Sequence, residues 1–204
     1  MVDNAVALVQ AYLHINGYFS VAEYPVIEAV GKGDGYRTAT DLDILALRFP
    51  GAGRLVPGKR ADEALYAPDP LLHCPDDQAD MLVGEVKEGH ATLNRGATDP
   101  SVLRSMLARF GCCPTHDVGQ LVQQLIRKGR VTAPSGHHVR LVAFGSGTKS
   151  VAGRHYEVID LGHVVQFLQH YLRQHWEVLR HAQFKDPALG FLMALEKALG
   201  NPRK

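Results

Sequence analysis

Asp80-Met81-Leu82-Val83-Gly84-Glu85-Val86-Lys87-Glu88 is a short apolar run that carries a glutamate and a lysine at its far end. Leu82, Val83 and Val86 mark it as a largely buried strand. In an extended strand successive side chains alternate faces, so Glu85 and Lys87 point the same way while Gly84 and Val86 point the other. An acid and an amine therefore stand side by side near a core, where ionised groups need partners such as a metal ion or each other. A second stretch supplies candidate partners. Thr40-Asp41-Leu42-Asp43-Ile44-Leu45-Ala46-Leu47 opens on two aspartates that alternation places on one face, ahead of an otherwise apolar strand.

An aspartate entering a hydrophobic strand, followed later by Glu-x-Lys at the end of another, resembles the active-site signature of the PD-(D/E)XK nucleases. Asp43, with Ile44, Leu45 and Ala46 behind it, matches the first acid, Glu85 the second acid and Lys87 the lysine; Asp41 is the reserve for the first position. The resemblance implies the restriction-endonuclease-like fold, a three-layer α/β/α arrangement around a central mixed β-sheet. It also implies Mg²⁺ or Mn²⁺ held by Asp43, Glu85 and the backbone carbonyl of Val86, with DNA as substrate. Two features depart from the family pattern: a long segment separates Asp43 from Glu85, and the first helix lacks the glutamate that many members place there. Glu23 and Glu28, which flank the first strand, are the acids available to replace it.

Working outward from the two strands, Ala5, Leu8, Val9, Tyr12 and Leu13 repeat at helical spacing behind Asp3, a capping residue, and Asn16-Gly17 offers a stop. Tyr18 to Val30 is rich in aromatic and β-branched residues, with Pro25 predicting an irregularity, and Gly31 to Gly35 turns the chain into a hairpin. Pro50 to Asp80 holds five prolines and no clear period, which predicts a long surface insertion at about residues 50–80; its Arg54, Lys59 and Arg60 can reach a phosphate backbone. Asp99-Pro100 starts a helix that Gly111 ends, and a second helix runs from Val118 to Lys128. Val139–Phe144 and His155–Leu161 are expected as two strands of a hairpin through Gly145–Arg154, whose Gly-Thr-Lys-Ser portion lacks the helix that a phosphate loop requires. A helical C-terminal part at about residues 163–200 comprises one long helix through Val164, Leu168, Leu172, Trp176 and Leu179 and a last one capped by Asp186-Pro187.

The 204 residues, 46% hydrophobic and 21% charged, predict one nuclease-like domain with one core. Three cysteines without framework spacing, and no stretch resembling a signal peptide or membrane span, fit a reducing cytoplasm. A net charge of +1 neither supports nor excludes DNA, because a local basic groove suffices. The oligomeric state is open, a homodimer included.

Phosphodiester hydrolysis needs a positioned water, neutralisation of charge growing on the phosphate and a stabilised leaving oxygen. The resemblance gives the metal to Asp43 and Glu85, and to Lys87 the orientation or deprotonation of the attacking water; a neighbouring cation is expected to lower the lysine pKa. The rival function is a binding or assembly module that keeps the fold without catalysis, with Glu85 and Lys87 an ordinary ion pair worth at most about 1 kcal/mol. Two further chemistries are open among the 11 histidines: a zinc site, although no Cys-x-x-Cys pair is present, and a Cys-His nucleophile from Cys112 or Cys113 with His116.

Overall fold

In the computed structural model, which describes residues 3–30, 35–52, 67–147 and 155–200, every described strand belongs to one six-stranded mixed sheet. The chain order is α1 (Asn4–Ile15), β1 (Tyr18–Val30), β2 (Gly35–Arg48), β3 (Asp80–His90), α2 (Pro100–Phe110), α3 (Val118–Lys128), β4 (Arg130–Thr132), β5 (His138–Gly147), β6 (Glu157–Asp160), α4 (Leu161–Gln174), α5 (Trp176–Leu179) and α6 (Pro187–Ala198). Short 3₁₀ turns lie at Pro70–Leu72 and Gly96–Thr98. The sheet order is β1-β2-β3-β5-β4, and β6 also pairs with β5. β3 and β5 are parallel, β5 and β6 are parallel, and the other pairs are antiparallel.

Four helices begin with the same device. The side chains of Asp3, Asp99, Asp160 and Asp186 accept backbone N–H groups of the first turns of α1, α2, α4 and α6, at 2.7 Å from Ala5, 2.7 Å from Ser101, 2.8 Å from Gly162 and 2.7 Å from Leu189. Such caps satisfy donors that the helix itself leaves open. Gly129 closes α3 with φ +70°, and a Cβ there would lie 1.8 Å from the carbonyl oxygen of His155, so only glycine fits.

Alternation along the strands divides the core into two layers. Ile44, Ala46, Leu82, Val86, Val142 and Phe144 pack against α1, α4 and α6. Leu45, Met81, Val83, Val139 and Leu141 pack against α2 and α3. Helices therefore cover both faces of the sheet, as a central mixed sheet with buried strands requires.

Three expectations are corrected here. β5 and β6 are parallel, with Val142 beside Glu157 and Gly145 beside Asp160, so they do not form a hairpin. Side-chain alternation records which face is buried and carries no information on strand direction; residues 148–154 between them lie outside the described residues. The long C-terminal helix is interrupted at His175, between α4 and α5, because an apolar period can continue across a break in the hydrogen-bond ladder. β4 is an additional strand of three residues, too short to show a period. Of the 50–80 insertion, residues 53–66, which include Arg54, Lys59 and Arg60, lie outside the described residues. Residues 67–79 contain only the Pro70–Leu72 turn, yet they are tied into the core: Leu72 is fully buried, and Asp69 bonds Tyr12 Oη of α1 at 2.7 Å and His163 Nε2 of α4 at 2.5 Å. Among the described residues no helix is long and apolar enough to cross a membrane.

Candidate functional site

The site forms where the β2–β3 ladder ends. Their pairing runs from Arg48 beside Asp80 to Ile44 beside Gly84 and stops, while β3 stays paired with β5 through Lys87 beside Gly145. Beyond Gly84 the edge of β3 facing β2 is therefore open. Asp43 fills the opening: its Oδ2 accepts the Val86 N–H at 2.8 Å, taking the place of a backbone acceptor.

An irregularity in β2 aims Asp43 this way. Leu42 packs in the α2/α3 layer and Ile44 in the α1/α4/α6 layer, although residues two apart share a face in a regular strand. The change falls at Asp43. Opposite it on β1, the register passes from Ala22–Ile44 to Tyr24–Leu42 without pairing Glu23, whose φ is +51°. The predicted irregularity in β1 thus exists at Glu23, with a register shift between Val26 and Ile27 as well. A left-handed non-glycine residue costs about 1–2 kcal/mol. Glu23→Gly should accordingly raise stability by up to about 1 kcal/mol, after the larger chain entropy of glycine is allowed for, and Glu23→Val should lower it by about as much. Urea unfolding midpoints check this; valine equalling or exceeding glycine would contradict the left-handed backbone.

Glu85 and Lys87 emerge together on β3, as alternation predicts. Lys87 Nζ donates to Glu85 Oε1 at 2.5 Å and lies 4.0 Å from Asp43 Oδ2. The three side chains differ in exposure: 0% for Glu85, 24% for Asp43 and 40% for Lys87. Asn94, in the loop after β3, adds a second donor to Glu85 Oε1 at 2.6 Å. Glu85 Oε2 is buried and receives no hydrogen bond. A buried carboxylate oxygen without a donor is a costly arrangement that needs a physical reason.

Electrostatics point the same way. Burial pushes the Glu85 carboxyl up; the Lys87 hydrogen bond pulls it down and the Asp43 charge pushes it up again, for a net rise. For Lys87, burial lowers the pKa, but the hydrogen bond and charge of Glu85, with the charge of Asp43, outweigh it and raise the lysine above its ordinary value. This direction is opposite to the lowering expected of a lysine beside a bound cation. The charge of Asp3, the capping residue of α1, also raises Lys87.

The oxygen set suits a hard divalent ion. Glu85 Oε2 is undonated, Asp43 keeps Oδ1 without a hydrogen bond among the described residues, and the Val86 carbonyl lies on the same strand edge as its N–H, facing the opening. Carboxylate and carbonyl oxygens are ligands for Mg²⁺ or Mn²⁺, with water completing the shell. Other sequence candidates do not join. Among the described residues no group of three His, Cys, Asp or Glu is arranged to hold a metal ion. Asp41 and Glu23 are exposed, and Glu28 is tied to Arg37 at 2.6 Å. Cys112 is buried, its thiol pushed up to about 11 by burial and by Cys113, while His116 is exposed and lies 3.5 Å from Asp117, so this pair offers no activated nucleophile.

Asn94 is the member that the sequence did not single out. Asn94-Arg95-Gly96 carries only a turn signal, and contact with Glu85 depends on the path of the loop. A second buried acid lies at the other end of β3, about 17 Å away at strand rise. Asp80 is hydrogen-bonded to Tyr18, His138 and Arg140, and Arg140 Nη1 reaches Glu157 at 2.5 Å. Asp80 is fully supplied with donors; Glu85 is not. No protein-family model, curated protein or solved structure matches the chain.

Proposed function

We propose that this chain is a Mg²⁺-dependent nuclease of the restriction-endonuclease-like fold that hydrolyses phosphodiester bonds of DNA. The observation that carries the reading is the buried, undonated Oε2 of Glu85, whose carboxyl group interacts with that of Asp43 at the mouth of an open strand pair. Asp43, Glu85 and the Val86 carbonyl would hold the ion, which supplies charge neutralisation on the phosphate and acidifies a water. Lys87, partly exposed and beside both acids, faces the solvent from which water and substrate arrive. Its ammonium orients the attacking water and offsets phosphate charge, and in its neutral form it accepts the water's proton.

Cleavage of plasmid and oligonucleotide DNA with and without Mg²⁺, beside calorimetric Mn²⁺ titration, tests the proposal. Asp43→Ala and Glu85→Ala should each lose both Mn²⁺ uptake and cleavage, since each removes an anionic oxygen from a hard cation. The absence of a third acid in the described cluster favours one rival, a binding or assembly module on the same fold. Wild-type protein that binds DNA and never cuts it would establish that rival.

A further inference from the structure

Glu85 has two carboxylate oxygens with different fates, and Asn94 divides them. Asn94 Oδ1 accepts the Ala97 N–H at 2.6 Å. A backbone N–H can only donate, so the oxygen of the amide must face Ala97 and the NH₂ must face Glu85, where Nδ2 lies 2.6 Å from Oε1. The amide is thus fixed in the one orientation that donates to the acid. Its loop is fixed as well. The Gly96–Thr98 turn presses on β2, where a Cβ at Gly96 would come within 2.5 Å of Thr40 Oγ1, and Thr98 Oγ1 donates to the Asn94 carbonyl at 3.3 Å.

Lys87 is a partly exposed second donor to Oε1. Asn94 is the donor anchored by the fold. Together they occupy Oε1 and leave Oε2 buried without a donor. We propose that Asn94 is a positioning residue that holds Glu85 through Oε1 so that Oε2 alone is left to serve, together with Asp43, as a single-oxygen ligand for one divalent cation. This assignment rests on the metal-site reading of Asp43 and Glu85. Without the amide, the Glu85 carboxylate can rotate about its last torsion and satisfy either oxygen from Lys87, and the ligand geometry is lost.

Calorimetric Mn²⁺ titration of Asn94→Ala and Asn94→Ser, with thermal unfolding of both, tests the proposal. Serine is too short to reach Glu85 but keeps an oxygen that can accept a nearby backbone N–H, so it preserves the turn while removing the donor. Both variants should bind one Mn²⁺ per chain about tenfold or more weakly than wild type, with the serine protein melting near wild type. Wild-type Mn²⁺ affinity in Asn94→Ser overturns the positioning role, as does an affinity loss confined to an alanine protein that is also destabilised. Wild-type protein that takes up no Mn²⁺ overturns the metal-site reading itself, and the role of Asn94 with it.

Discussion

Lys87→Ala is expected to reduce cleavage by about a thousandfold, the usual scale for a lost proton-transfer group, while leaving Mn²⁺ affinity unchanged or higher. The split follows from charge and position. Lys87 Nζ is 2.5 Å from Glu85 and 4.0 Å from Asp43, so it is a cation that the two acids share. A divalent ion bound at the same acids meets that ammonium as a repulsive neighbour. Removing the ammonium removes a competitor for Glu85 and a like charge near the ion, and both changes favour metal binding. On the proposed reading, the same change also removes the group that would handle the water. Cleavage time courses and calorimetry on one preparation separate the effects. Unchanged cleavage would exclude Lys87 from the chemistry; lost Mn²⁺ uptake would make it a structural partner of Glu85.

Arg140→Ala is expected to cost about 3–5 kcal/mol, a large share of the roughly 5–15 kcal/mol that stabilises an ordinary domain. Arg140 is 1% exposed and Asp80 fully buried, with Arg140 Nη2 2.8 Å from Asp80 Oδ2 and 3.1 Å from Tyr18 Oη. Solvent screening offers little relief at such burial, so truncating the arginine leaves the Asp80 charge with only its hydrogen bonds to Tyr18 and His138. A double replacement, Arg140→Met with Asp80→Leu, removes both charges and should recover much of the loss. Denaturant unfolding of the single and double variants measures the difference; equal losses would show that the pair is not coupled. Acid tests the same group. Burial pushes Asp80 up, but the hydrogen bonds from His138, Arg140 and Tyr18 and the charge of Arg140 outweigh it and hold its pKa below the ordinary carboxylate value. Its folded pKa thus lies below its unfolded one. This stabilisation is full above the unfolded value and is lost as the pH falls through the folded one.

The acids and the lysine were legible because their positions follow from local rules. Strand alternation puts Glu85 and Lys87 on one side, and an acid leading into an apolar strand marks Asp43. Helix starts at Asp3, Asp99 and Asp186 were legible for a similar reason, since a cap acts within three residues of itself. What escaped the sequence depends on distant parts of the chain. Asn94 meets Glu85 only because the loop after β3 folds back and Gly96 lets it press against Thr40. Parallel pairing of β5 and β6 escaped because side-chain alternation is the same for either strand direction. The reversal of faces at Asp43 comes from Glu23 on the neighbouring strand, so counting along β2 alone does not find it.

Asp43 has two occupations. One oxygen stitches β2 to β3 through the Val86 amide, and the other is available to a ligand. An asparagine at this position could still accept that amide through its carbonyl oxygen, yet it would bring no negative charge to a cation. Chemistry at this position can therefore be shed by a single isosteric change without unpicking the seam of the sheet. On the proposed reading, Asp43→Asn would part the metal from the architecture, taking the charge away and leaving the strands joined.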